Sequence, residues 1–246
     1  MVNREPIRAE QVREAIAPWR VRLLEETGST NSDVAEAGRL GEPEGLVVIA
    51  EHQSAGRGRL GRAWVSAPRA GLWMSVLLRP AVEVSRWGWL PLLTGVALAD
   101  TVPGSRLKWP NDLLLHGRKV AGILAEAVTP ASVVVGIGLN VFQREDELPP
   151  GVNATSLELE GLTVDRTGLA IQLLTNLRSR YEDWTDLHED YLARCDTIGR
   201  AVRVQLPGDT EISGKAATVD GDGRLIVQAG DGRLCPIAAG DVTHVR

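Results

Sequence analysis

The stretch HQSAGRGRLGRAW, His52 to Trp64, places Gly56, Gly58 and Gly61 in the pattern G-x-G-x-x-G. In a doubly wound dinucleotide-binding fold, the third glycine opens a helix whose N-terminus receives a pyrophosphate. Here Gly61 is followed by RAWVSAPRAGLW, with Pro68 and Gly71 and no helical period. Glu83 stands at about the right distance for a ribose-binding acid, but the intervening crossover helix is missing. No Gly-Lys-Ser/Thr closes a phosphate loop either. The chain must therefore carry this segment as a glycine-rich loop running into a strand, which excludes a Rossmann entry.

Around the loop the chain reads as short elements. EQVREAIAPW is an amphipathic helix ended near Pro18, and WRVRLLEET is a strand. Gly28 leads into Ser29-Thr30-Asn31-Ser32-Asp33, a helix opening of the S/T-x-x-D type in which Ser29, Thr30 and Asn31 are capping candidates. LVVIAEH is a buried strand by its continuous β-branched run, and LWMSVLLRP is another. LPLLTGVALADTV reads as an apolar, buried helix. RLKWPND, DLLLHGRKVAGILAEAV and SVVVGIGLNVF read as strands joined by tight turns, with His116-Gly117-Arg118 at a hairpin tip. Leu169, Leu173, Leu174, Leu177, Tyr181 and Trp184 follow a helical period, and a second helix near EDYLARC continues from it. From Ile198 short strands alternate with the turns Gly221-Asp222-Gly223 and Gly230-Asp231-Gly232, which predicts a β-barrel of roughly 50 residues. The expected division is a helical extension over 1–20, a main domain over 21–197 and the barrel over 198–246.

Composition removes several function classes. With 43% apolar and 24% charged residues and a net charge of −5, this is an ordinary globular chain and no general polyanion binder. No apolar run approaches the roughly 18 residues of a membrane span, and the charged N-terminus lacks a secretory h-region. Cys195 and Cys235 are far apart, without metal-ligand spacing, and fit a reducing cytoplasm. The four histidines are scattered, so no protein-built metal site is expected.

Against this acidic background the loop from Gln53 to Trp73 holds Arg57, Arg59, Arg62 and Arg69 and no acid. Gathering like charges on a flexible segment costs repulsion and ordering entropy. An anion clasped by several arginines would offset both, so the loop reads as an anion-binding lid. A second basic motif follows in LKWPNDLLLHGRKVAGILAE. Lys108, Trp109, Pro110, Asn111 and Asp112 bring together a cation, a ring, a rigid turn and two oxygen donors. The next strand adds Lys119 and then Gly122, where a ligand could lie against bare backbone. Of 27 basic residues only Lys108, Lys119 and Lys215 are lysines, which singles them out as compact point charges.

Taken in order, GSTNSD, EHQSAGRGRLGRAW, KWPNDLLLHGRKVAGILAE and VVVGIGLN resemble the biotin protein ligases, over about Val21 to Asn140. The resemblance implies an α+β fold: a mixed, mostly antiparallel sheet with helices, of the class II synthetase-like kind, followed by an SH3-like barrel. It implies biotin and ATP as substrates, with Mg²⁺ on the phosphates. Biotin's carboxylate would attack the α-phosphate, and a lysine of a biotin carboxyl carrier domain would then attack biotinyl-5′-AMP. Ser29, Thr30 and Asn31 would border the ureido ring, with Gln53 on its polar edge. Arg57, Gly58 and Arg59 would close over the adenylate, Arg62 would meet pyrophosphate, and Trp64 would shield the acyl tail. Lys119 would hold the biotin carboxylate and α-phosphate, while Lys108 and Asn111 face the phosphates and metal. Gly122 and Gly136 would line the ring, and Asn140 would reach the adenine. Arg57, Arg59 and Lys119 are the expected catalytic cations. The 20 residues before Val21 leave room for one helix, so no specific DNA binding is expected. A lipoate-type ligase and a non-catalytic biotin-binding module are the alternatives. An exposed sheet edge could serve a homodimer or the carrier.

Overall fold

Residues 4–206, 208 and 210–245 are described by the computed structural model of the chain. The strands follow from alternation. In β3 (Gly71–Leu78), Leu72, Met74, Val76 and Leu78 enter the main core, while Trp73, Ser75 and Leu77 face the other way. In β7 (Ser132–Asn140), Val133, Val135, Ile137 and Leu139 take the same core side, leaving Gly136, Gly138 and Asn140 opposite. Together with β1 (Arg20–Leu24), β2 (Leu46–Ala50), β4 (Arg106–Lys108), β5 (Asp112–Leu115) and β6 (Arg118–Thr129) they form one seven-stranded sheet, ordered β1-β2-β3-β7-β6-β5-β4. Within it β1 and β2 pair in parallel, and the other ladders are antiparallel.

One face of the sheet is closed by α3 (Leu90–Thr101) and α4 (Arg166–Glu182), whose leucines and valines join the main core. As its composition predicts, α3 is buried on every side. The helical period of α4 holds, but it does not run on into the next helix. Asp183 accepts bonds from the Thr185 N–H and hydroxyl, and α5 (Leu187–Arg194) starts afresh beyond that turn. On the opposite face, α2 (Thr30–Arg39) covers only part of the sheet, packing Val34 and Ala35 on Leu46, Val48, Leu77 and Val134. The rest of that face stays open between α2 and the glycine-rich loop.

Two tight features match the sequence reading. His116 and Gly117, both with positive φ, make the two-residue turn between β5 and β6. No helix follows Gly61; a short turn over Arg59–Gly61 leads to β3. The loop ends at Ala70, because β3 already begins at Gly71. A buried ion pair, Arg166 to Glu51 at 2.7 Å with both side chains 2% exposed, ties α4 to the end of β2. The same carboxylate accepts the Ile7 N–H, and Arg166 also donates to the Gly71 carbonyl, so the short α1 (Ala9–Ala15) is led onto the core side.

The C-terminal part is a five-stranded antiparallel sheet, ordered β11-β10-β9-β8-β12, built from β8 (Ala201–Gln205), β9 (Glu211–Val219), β10 (Leu225–Ala229), β11 (Leu234–Ile237) and β12 (Asp241–His244). Its inward residues Val202, Val204, Ala216, Leu225 and Val227 belong to the same apolar cluster as the main sheet. Trp89 and Trp109 donate their indole N–H groups to the Gly221 and Gly223 carbonyls at 3.0 and 3.2 Å. A side chain at Gly88 would come 2.4 Å from the Asp222 carbonyl, so bare backbone is needed where the two parts meet.

Candidate active site

The open half of the sheet is a cleft of about 500 Å³. Strand parity builds its floor. Asp112 pairs with Gly122, Gly122 with Gly138, and Gly138 with Trp73, making one row across four strands. The neighbouring row runs from Leu124 through Gly136 to Ser75. Lys119 reaches this floor only because the β5–β6 ladder shifts register between Leu113 and Leu114. The irregularity sends Val120 into the core beside Ala121 and leaves Lys119 on the side of Gly122.

At one end the floor is built from neutral amides and hydroxyls. Gln53 Oε1 accepts from the Thr30 N–H at 2.9 Å and from the Thr30 hydroxyl at 3.1 Å, and Gln53 Nε2 donates to Ser66. Ser75 joins the Thr30 hydroxyl at 2.7 Å and donates to Asn31 Oδ1 at 2.6 Å. Asn31 Nδ2 donates to the Leu124 carbonyl and to Glu126. The capping expected of Ser29 is not made by its side chain; Ser29 holds the N-cap position, and Gln53 supplies the acceptor. A side chain at Gly136 would overlap Asn31, so the glycine makes room for that amide.

Lys119 Nζ lies 2.6 Å from Asp112 Oδ1 and 5.4 Å from the centre of the Trp64 ring. Trp64 rests against Gly122 and Gly138, where a Cβ would come within 2.8 and 2.4 Å of its indole. Its indole N–H is buried against Gly138 without a hydrogen-bond partner among the described residues. Beyond Lys119 the cleft turns cationic. Arg59 donates to Asn111 Oδ1 at 3.1 Å and to the Gly240 carbonyl, and Arg62 pairs with Asp241 at 2.8 Å. Burial lowers the pKa of the Arg59 guanidinium; Asp241 opposes this, and Arg62 adds to it. Lys108 lines the same end, half-buried and without an ion-pair partner among the described residues.

The loop itself is a small hairpin. Trp64 N–H bonds to the Gly56 carbonyl, Gly58 N–H to the Arg62 carbonyl, and Arg57 bridges Ala63. Its arginines do not wait for an external anion to relieve their repulsion. Arg57 meets Glu126, Arg62 meets Asp241 and Arg69 meets Glu25, which leaves Arg59 as the lid arginine without a carboxylate among the described residues.

Residues 25–140 match the family model of the biotin/lipoate A/B protein ligases, and 197–245 that of the biotin protein ligase C-terminal domain. The biotin–[acetyl-CoA-carboxylase] ligase of Mycobacterium tuberculosis is 45% identical over 93% of this chain and 90% of its own length. The chain belongs to the biotin protein ligase family. The bifunctional ligase/repressor BirA of Escherichia coli is 34% identical, with 97% of this chain and 79% of that protein covered. Among solved structures, the biotin protein ligase of Aquifex aeolicus in complex with biotin and ATP superimposes with a TM-score of 0.78 at 28% identity, covering 92% of this chain and 99% of that one.

The residues singled out in this ligase sequence all line the same cleft: Ser29, Thr30, Asn31, Gln53, Arg57, Gly58, Arg59, Arg62, Trp64, Lys108, Asn111, Lys119, Gly122, Gly136 and Asn140. Two are differently engaged than the resemblance implies. The Arg57 guanidinium is turned to Glu126, and Asn140 is buried, donating to the Thr155 carbonyl and accepting from Gln143. Sequence reasoning does not single out Gly138, although its two-residue spacing from Gly136 signals the same face. Ser75 on β3 and Glu126 on β6 share the parity of the floor, but only the strand pairing shows that this face is the cleft. Asp241, Val242 and Thr243 carry no local signal and join the cleft only through the tertiary fold.

Proposed function

We infer that the chain is an ATP-dependent, AMP-forming biotin–[acetyl-CoA-carboxylase] ligase whose two half-reactions share this cleft. The supporting observation is the gradient along its floor, from neutral amides at Asn31 and Gln53, past Lys119, to Arg59, Lys108 and Arg62. A ligand with an uncharged hydrogen-bonding ring and a carboxylate tail fits the first half, and a polyanion fits the second. The ring's N–H groups meet acceptors on Asn31 and Thr30, and its carbonyl meets the second N–H of Gln53.

Lys119 is the group at the junction. Its ammonium, held by Asp112, attracts the carboxylate and the α-phosphate together and lowers the repulsion between them. A carboxylate oxygen then bonds to the α-phosphorus as pyrophosphate leaves. No side-chain nucleophile is required, since the carboxylate already is one. Arg59, Lys108 and Arg62 receive the phosphates; Arg62 exchanges the Asp241 carboxylate for them. Mg²⁺ borne by the triphosphate would supply further charge neutralisation. Asn111 and Asp112 line that end of the cleft and would offer it one amide and one carboxylate oxygen, a sparse donor set suited to an ion carried mainly by phosphate. Trp64 and the hairpin exclude water from the acyl-adenylate. The acceptor is a lysine on a carrier domain, whose amine attacks the acyl carbon and releases AMP. Unpaired Cys195 and Cys235 support a cytoplasmic setting.

Incubation of the protein with biotin, MgATP and a carrier domain should add one biotinyl group to the carrier lysine by mass spectrometry; no mass gain would reject this reading. Lys119→Ala should lower biotin-dependent ATP–pyrophosphate exchange by about 10²–10³-fold, the scale of removing one preorganised charge donor, with an unchanged circular dichroism spectrum. Exchange at the wild-type rate would remove Lys119 from the chemistry.

A further inference from the structure

Glu126 stands on β6 two residues beyond Leu124, on the cleft side of the sheet, and its two oxygens serve different elements. Oε2 accepts from Asn31 Nδ2 at 2.9 Å, and Oε1 accepts from Arg57 Nη2 at 2.6 Å. With the Leu124 carbonyl taking its other N–H, the Asn31 amide is fixed with its oxygen toward Ser75 and Gly136. Arg57 belongs to the first arm of the hairpin, and its second contact is the Ser32 hydroxyl on α2 at 3.5 Å. One carboxylate thus touches both the ring end of the floor and the lid that covers it.

We propose that Glu126 is a positioning residue that couples ring recognition to lid closure: one oxygen sets the Asn31 amide and the other anchors the lid through Arg57. This assigns the Arg57 guanidinium to holding the lid, and leaves Lys119 and Arg59 to face the anions. A carboxylate is required because both partners are donors; an amide has one oxygen and must turn an N–H₂ toward one of them. The pair with Arg57 is 49% and 30% exposed, so it acts as a fastener of modest strength rather than as a structural pillar. The proposal deepens the ligase reading and rests on it for its kinetic test.

In that test, Glu126→Gln should raise KM for biotin in pyrophosphate exchange about tenfold with kcat little changed. It should also speed the escape of biotinyl-AMP from the protein about fivefold, the scale of a half-exposed ion pair. The exchanged pair Arg57→Glu with Glu126→Arg separates the two tasks. It should recover adenylate retention relative to Arg57→Glu alone, while KM stays high because the guanidinium introduced on β6 faces Asn31 with donors. Wild-type KM and retention in Glu126→Gln would overturn the proposal, as would an exchanged pair no better at retention than Arg57→Glu alone. A wild-type protein that makes no biotinyl-AMP would defeat the ligase reading instead. Amide hydrogen exchange over 53–66 then decides the anchoring: faster exchange in Glu126→Gln supports it, and equal exchange refutes it.

Discussion

Both N–H bonds of the Asn31 amide are spent within the protein and its oxygen already accepts from Ser75, so what Asn31 offers a ligand is a remaining acceptor lone pair. Gly136 protects that arrangement, because a Cβ there would lie 1.9 Å from Asn31 Oδ1 and 2.8 Å from its Cγ. Gly136→Ala should push the amide off Ser75 and Glu126 and weaken biotin binding about 10²-fold. ATP binding without biotin should change little, since Arg59 and Lys108 lie at the other end of the cleft. Calorimetry with each ligand separately checks this, and an unaltered biotin affinity would contradict it. At this scale the sequence is most informative: glycines and lysines are conspicuous because an open floor and a point charge call for those residue types. It is least informative for Glu126 and Ser75, ordinary residues whose roles come from which strand lies beside them. Nor does it separate the two partners open to Arg57, since an arginine on a glycine-rich loop looks the same whether it faces a ligand or a carboxylate from β6.

Among the elements, the hairpin lid has few contacts of its own. Its tip residue Leu60 is 66% exposed and has φ 54°, and its closure depends on Arg57, Arg59 and Arg62 reaching Glu126, Asn111 and Asp241. Segments held by exposed polar contacts open at low free-energy cost. Hydrogen exchange over 53–70 should therefore be fast in the free protein and slow by at least about tenfold with biotinyl-AMP bound, while β3 and β7 stay protected in both states. Equal protection with and without ligand would count against a lid. The absence of a helix after Gly61 is legible from Pro68 and Gly71, and the β5–β6 turn from His116-Gly117. The irregularity that re-aims Lys119 is not, because Val120 to Ala125 is an unbroken apolar run that shows no parity, and only pairing with β5 reveals the shift. The break between α4 and α5 escapes the sequence for a similar reason: Asp183 reads as a helix residue until its side chain is seen to bond Thr185.

For the molecule as a whole, the change of texture at Ile198 announces a second sheet but hides how closely it is joined to the first. His244 at the end of β12 shows the join: Nε2 lies 3.1 Å from the Thr197 hydroxyl, which accepts the Trp109 backbone N–H. Burial lowers the His244 pKa, Lys108 and Arg200 press the same way, and Asp196 opposes them. In the unfolded chain the imidazole takes its proton near the ordinary value of about 6.5. Between that pH and the lower folded value, the unfolded state binds more protons, so stability rises with pH. The contribution of His244 is thus complete above about pH 6.5 and is lost as pH falls toward its folded pKa. Hydrogen bonds from their partners hold the Glu147 and Asp165 carboxyls below the ordinary carboxylate range, itself under the ordinary imidazole value. Scanning calorimetry at about pH 7.5, 6.5 and 5.5, a range that brackets the ordinary imidazole value, should therefore show Tm of the wild type falling more steeply than that of His244→Gln, whose amide can still accept from Thr197 and carries no proton to gain. Because Thr197 also seats Trp109, the same pH drop should raise KM for ATP in the wild type more than in the variant, which ties the C-terminal sheet to the phosphate end of the cleft. Parallel Tm curves for the two proteins would take His244 out of that connection.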